Sequence, residues 1–417
     1  AAGGGDGRAG HVAGIVAGTL LAYAYQLVGG RLLGPEAFAP VSVLWTLMFL
    51  TGTVAFTPAE QFVAREATAG RRVLGRESLP LWVLVATTGL AAVAFVGATR
   101  ESLFEGDAMF MLVTAGLIVA TAPLFIVRGL TVGHRRFDRY GAMLALEGVG
   151  RLVIGVLGSL VLGGAAGYAW GIGLGPVLAL LVAPRRLERL ATDPPSGRAG
   201  VFLAPYVGAS AASQLLIAGA PLAVAALGAG PATISIVFVT FTLFRAPVTI
   251  VYLLQGRLLN TAVLLQLRGE SAALRRIRRS IVIAGVAAIL SAGVVAWAIG
   301  PDVVGLLYGA EFRPDRTVAA LAATGVAGAA VAQLLGQLLV AEGRTGALAL
   351  RWTVGLFVAM AVVVSVPAAA DLAVATAFAA GAVTAAVGMI GAGRGGPPDA
   401  PGPDDGRIAP GPAVGSL

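Results

Sequence analysis

The sequence predicts an all-α integral membrane protein with about twelve spanning helices and both ends in the cytoplasm. Three observations carry this. Hydrophobic residues fill 57% of the 417 positions and charged residues 12%, with a mean hydropathy of +0.87. Soluble domains carry about 25% charged residues, so half of the usual solvating charge is missing. Apolar runs of spanning length recur along the whole chain, and arginines gather in every second connection between them.

The runs lie at 11–33, 39–62, 80–99, 108–132, 139–163, 165–184, 200–228, 231–255, 279–300, 316–341, 346–366 and 369–393. Each approaches the roughly 20 residues that cross a bilayer. A sheet is excluded, because open strands in lipid leave backbone groups unpaired and barrel strands alternate polarity over about ten residues. The first run is longer than the apolar core of a signal peptide, about 7–15 residues, and reads as the first span.

All 29 basic residues are arginine. Twenty-three sit in the even-numbered connections and at the two ends, including Arg65, Arg71, Arg72, Arg76, Arg128, Arg135, Arg136, Arg139, Arg185, Arg186, Arg189 and Arg198. The odd-numbered connections hold four, Arg31, Arg100, Arg313 and Arg316, beside acids such as Glu101, Asp107 and Asp302. The positive-inside rule then places the even connections and both termini in the cytoplasm of a cell-membrane protein. The segment 256–280, ending on Arg275, Arg276, Arg278 and Arg279, reads as an interfacial helix against anionic headgroups. The net charge of +8 follows from this topology and implies no nucleic-acid partner.

A weak repeat divides the chain. A shift of 194 residues aligns Leu33-Gly34 with Leu227-Gly228, Val43 with Val237, Thr46 with Thr240, Val54 with Val248 and Gln61 with Gln255. It carries the first span onto the seventh. Two six-helix lobes, 1–190 and 191–393, related by a pseudo-two-fold along the membrane normal, are expected. The tail 394–417, rich in Gly, Pro and Asp, is expected to be disordered.

The stretch Gly30-Arg31-Leu32-Leu33-Gly34-Pro35-Glu36-Ala37-Phe38 resembles the signature of polysaccharide-biosynthesis flippases, within the multidrug/oligosaccharidyl-lipid/polysaccharide exporter superfamily. Arg128-Gly129-Leu130 with Arg135-Arg136-Phe137, and Leu306-Leu307-Tyr308-Gly309-Ala310-Glu311-Phe312, are similar to further pieces of it. The resemblance implies two lobes around a central cavity, alternating access and translocation of a lipid-diphosphate-linked glycan. It also implies a monomer in contact with membrane lipids and with glycosyltransferases or a polymerase of the same pathway. No enzymatic activity and no cofactor are expected.

Candidate site residues rest on physical argument. Arg245 lies within the eighth run, where a central arginine costs about 2.5–3.5 kcal/mol on insertion scales and must face protein or water. It serves a phosphate headgroup, or else an internal acid or the carbonyls freed near Pro247. Glu147 and Arg151, four apart, either pair or divide between substrate and coupling. Tyr25, Gln26, Gln214, Gln333 and Gln337 offer hydrogen bonds to sugar hydroxyls, or join helices. Glu60 reads as a snorkelling residue at the cytoplasmic surface. Gly163, Gly167, Gly171 and Gly175 form a packing ridge. The function expected is flipping of a lipid-linked glycan precursor. The alternative is an ion-coupled multidrug or organic-cation antiporter of the same superfamily, which needs membrane-embedded carboxylates.

Overall fold

The computed structural model describes residues 6–71, 73, 79–183 and 199–392. Arg72, Arg76, Arg185, Arg186, Arg189, Arg198 and the tail from 393 lie outside the described residues. Within them the chain is almost wholly helical: α1 (Asp6–Thr51), a π-helical turn (Gly52–Phe56), α2 (Thr57–Thr68), α3 (Leu79–Ala98), α4 (Arg100–Leu103), α5 (Met109–Gly133), α6 (Phe137–Leu162) and α7 (Gly164–Leu180). After the gap come α8 (Ala199–Ala218), α9 (Ala220–Ala226), α10 (Pro231–Phe244), α11 (Val248–Leu267), α12 (Ser271–Tyr308), α13 (Arg316–Ala341), α14 (Thr345–Ser365) and α15 (Ala370–Ala392).

Eight helices among the described residues are long and apolar enough to cross a membrane. The first is the joined run Val12–Thr68 of 57 residues. As a straight helix it would extend about 85 Å, against a hydrocarbon core of about 30 Å. It turns at Gly34, whose φ of 74° and ψ of 172° interrupt α1. A Cβ there would meet only Glu311 Oε2 at 3.7 Å. Conformation rather than space therefore demands glycine. The expected first and second spans are thus the two arms of this run. The sixth is the shorter α7, the seventh α8 with α9, and the eighth α10 with α11.

Two expectations are corrected. The interfacial helix at 256–280 does not form. Its first part continues α11 to Leu267, Gly269 turns the chain at φ 71°, and its second part opens the 38-residue α12. The glycine ridge does join α6 to α7, but Gly163 is the turn between them, with φ 79°. A Cβ on Gly167, Gly171 or Gly175 would come within 2.4 Å of α6 atoms, of Gly158 O, Arg151 O and Arg151 Cγ respectively. Their bare backbones let the two helices touch.

α1 packs on α6 and α10, α2 on α5, and α5 on α7. Later in the chain α13 packs on α12, α11 and α15, and α14 on α15 and α8. Two pairs of positions related by the 194-residue shift share a local feature. Gly34 and its partner Gly228 both take positive φ, 74° and 76°. The π-helical turn beginning at Gly52 aligns with the break after Phe244 that separates α10 from α11. Beyond the spans, Asp315 caps α13 by accepting from the Thr317 amide at 2.6 Å, and that amide holds its carboxyl below the ordinary range.

The chain has no cysteine, so single introduced thiols report sidedness directly. Cysteine in place of Arg71 is expected to resist impermeant reagents in intact cells, and cysteine in place of Asp107 to react. Reversed labelling would overturn the orientation.

Candidate substrate cavity

The bilayer is a poor solvent for charge, yet the helices bring several ionisable side chains together. They surround a cavity of about 540 Å³ lined from both ends of the sequence: α1, the π turn, α2, α5 and α6, then α8, α10, α11, α13 and α15. The volume falls within the range of small-molecule sites, about 300–1,000 Å³.

One wall is an ion triad. Glu147 on α6 is 5% exposed and pairs through Oε2 with Arg128 of α5 and through Oε1 with Arg151, one turn along its own helix. The i,i+4 spacing puts Glu147 and Arg151 on one face, and α5 supplies the second cation. Each guanidinium lies over a ring that also lines the cavity, Arg128 over Phe125 at 5.6 Å and Arg151 over Trp45 at 5.4 Å. Such contacts stabilise a desolvated cation by about 2 kcal/mol. The Nε atoms of both arginines are buried with no hydrogen-bond partner among the described residues.

Arg245 also lines the cavity. It follows the last residue of α10, at the break before α11. Its Nε donates to the Phe241 carbonyl at 3.2 Å, Nη1 to the Ile217 carbonyl at 3.2 Å and Nη2 to Thr242 Oγ1 at 3.1 Å. The guanidinium also lies over Phe49 at 5.7 Å. The side chain is thus oriented by α8 and α10 while its edge reaches the cavity.

Glu60 of α2 accepts from Tyr140 Oη of α6 at 3.0 Å. Glu60 is 5% exposed and lines the cavity, which corrects its reading as a snorkelling surface residue. Arg128 is corrected likewise, from a loop arginine to a buried member of α5. The formal balance of the cavity is three arginines against two glutamates. On the side of the odd-numbered turns, Arg31 ties α1 to the end of α12 through the Leu307 and Leu306 carbonyls at 2.6 and 2.5 Å. Phe38 packs there against Phe238 and Phe312.

Of the expected site residues, Arg245, Arg151, Glu147, Gln26 and Gln333 line the cavity. Gln26 is 3% exposed, and its Oε1 has no hydrogen-bond partner among the described residues. Gln333 accepts from Gln255 at 3.1 Å. Tyr25, Gln214 and Gln337 do not line it. Tyr25 is fully buried behind Trp45, exchanging hydrogen bonds with Tyr168 through Oη to carbonyl at 2.9 and 2.5 Å. It supports the wall rather than facing a ligand. Lining residues that the sequence did not assign to the site include Arg128 and Glu60, read as a turn cation and a surface residue, with Tyr140, Thr121 and the rings of Trp45, Phe49 and Phe125. Among the described residues no group of three His, Asp or Glu is arranged to hold a metal ion.

Comparison with known proteins fits this architecture. No protein-family model matches the chain. The uncharacterized protein Rv3630 of Mycobacterium tuberculosis is 27% identical over 83% of this chain and 82% of its own. Among solved structures, a MOP superfamily transporter from Pyrococcus furiosus aligns over 91% of each chain with a TM-score of 0.60 at 14% identity. Its description gives its binding pocket a reverse polarity that suggests a different function. A mutant of the Vibrio cholerae MATE transporter VcmN aligns over 92% of this chain and 96% of its own, with a TM-score of 0.59 at 12% identity. At these identities the likeness establishes the fold, which is that of the MOP superfamily transporters.

Proposed function

We propose that this protein is a multi-pass transporter that moves an anionic, lipid-linked glycan precursor across the cell membrane by alternating access. The observation that carries the reading is the set of three arginines, each laid over an aromatic ring, around one cavity between the apolar helices. A diphosphate brings negative charge where water screens it poorly. Guanidinium groups answer it with bidentate hydrogen bonds as well as charge. Arg245 is the residue that holds the headgroup. Arg128 and Arg151 neutralise Glu147 and still present cationic edges, and Gln26 and Gln333 serve sugar hydroxyls.

Residues 1–190 and 191–393 act in this reading as two lobes that rock about the cavity. The matched helix breaks at Gly52 and after Phe244 favour that division. The tie from Arg31 to Leu306 and Leu307 is the outer closure of an inward-open state, with both termini cytoplasmic. Glycosyltransferases that load the carrier are the partners this function calls for.

Glu60 favours a second reading, an ion-coupled antiporter for organic cations. It is a buried carboxylate in the cavity wall, hydrogen-bonded to Tyr140 rather than held between arginines. The two readings differ in the sign of the ligand. Purified protein is expected to be stabilised against heat by a polyprenyl diphosphate and not by lipophilic cations such as tetraphenylphosphonium. Stabilisation by the cation alone would favour the antiporter and reject the flippase.

A further inference from the structure

The break between α10 and α11 has two unlike sides. Arg245 reaches the polar cavity, but its neighbours Phe244, Ala246 and Pro247 line a second space, about 990 Å³, between α10, α11, α12 and α13. Every lining side chain there is apolar except Ser280 and Ser291, and Ser291 donates to the Ala288 carbonyl of its own helix at 3.3 Å. The floor is made of small residues, among them Ala284, Ala288 and Ala292 on α12 and Ala327 and Ala330 on α13. Gly285 brings these helices together, since a Cβ on it would stand 2.6 Å from Val331 Cγ2. Val248 and Val326 belong to the linings of both spaces. A cationic chamber and an apolar trough therefore adjoin, with one helix break between them.

We infer that the groove between α10, α11, α12 and α13 binds the hydrocarbon chain of the amphiphile whose anionic headgroup occupies the cavity. This rests on the cavity reading above and extends it. The juxtaposition suits a long isoprenoid or acyl tail, which needs an apolar path beginning where the phosphate is held. A headgroup at Arg245 sends its tail past Val248 and Val326 rather than straight into bulk lipid. Carrier specificity then lies in the small residues of α12 and α13, whose replacement by larger side chains fills the groove.

The test uses the full chain in lipid nanodiscs with two probes, inorganic diphosphate and a polyprenyl diphosphate bearing a diazirine at the end of its tail. The photolabel is expected on peptides of α12 and α13. Ala288→Trp is expected to weaken polyprenyl diphosphate binding at least tenfold while inorganic diphosphate binding stays within twofold. Leu290→Trp, on an exposed face of α12 outside the groove, should change neither. Labelling elsewhere, or unchanged polyprenyl affinity in Ala288→Trp, overturns the groove and leaves the cavity reading standing. Groove labelling by a diazirine phosphatidylglycerol that polyprenyl diphosphate cannot displace means bulk lipid fills it, and also overturns the inference. Failure of the wild type to bind either probe overturns both. The photolabelling needs no variant, so a poorly folding Ala288→Trp does not decide the matter.

Discussion

Arg245→Ala is expected to lower translocation of a polyprenyl-diphosphate glycan on the order of 100-fold. A hydrogen bond to a charged group contributes about 1.5–3 kcal/mol, and each 1.4 kcal/mol is about tenfold. Two such bonds to a diphosphate reach the expected loss. The substitution also removes the links to the Phe241 and Ile217 carbonyls and to Thr242 Oγ1. Membrane insertion and size-exclusion profiles therefore have to be measured beside transport, and both are expected to stay unchanged. Arg245→Lys should recover part of the activity, because it restores charge without the two-pronged fork. Normal transport by a well-folded Arg245→Ala protein would make Arg245 a strut between α8 and α10.

The largest effect on stability is expected from Glu147→Ala. The carboxylate sits between Arg128 and Arg151, and its removal leaves two arginines without their anion in a buried wall. Breaking a buried pair from one side costs about 3–5 kcal/mol. Arg128 is the more enclosed partner, 5% exposed, so the double variant Glu147→Ala with Arg128→Met should recover much of the loss. Thermal unfolding in detergent reads both proteins and both single variants. Additive losses in the double variant would show that the pair does not couple. A Glu147→Ala protein as stable as wild type would contradict the triad.

The span order was legible because bilayer thickness fixes the length of each apolar run and arginine marks the turns. Glu147 with Arg151 was legible too, since both lie on one helix at a spacing that geometry interprets. Arg128 was not. It stands five residues before the end of α5, close enough to the turn to pass for a loop cation, and its partner lies 19 residues away on α6. Glu60 and Tyr140 are 80 residues apart, and only the packing of α2, α5 and α6 joins them. Tyr25 misled for the opposite reason. Its polar tip is satisfied by a carbonyl within the wall, and polarity inside an apolar run does not tell which side of the wall it serves. The tight α11–α12 turn did leave a signal in Arg268-Gly269-Glu270, a glycine just past a helix end. The run of arginines that follows masked it.

In the proposed function this cavity carries a lipid-bound anion from one leaflet to the other. The most direct measurement reconstitutes the wild-type chain into proteoliposomes holding a fluorescent polyprenyl-diphosphate oligosaccharide and follows loss of inner-leaflet label to an impermeant quencher. Transfer well above that in protein-free vesicles is expected, lost in Arg245→Ala and unaffected by a lipophilic cation. Transfer no faster than in empty vesicles, alongside ion-driven exchange of the organic cation by the same protein, would contradict it.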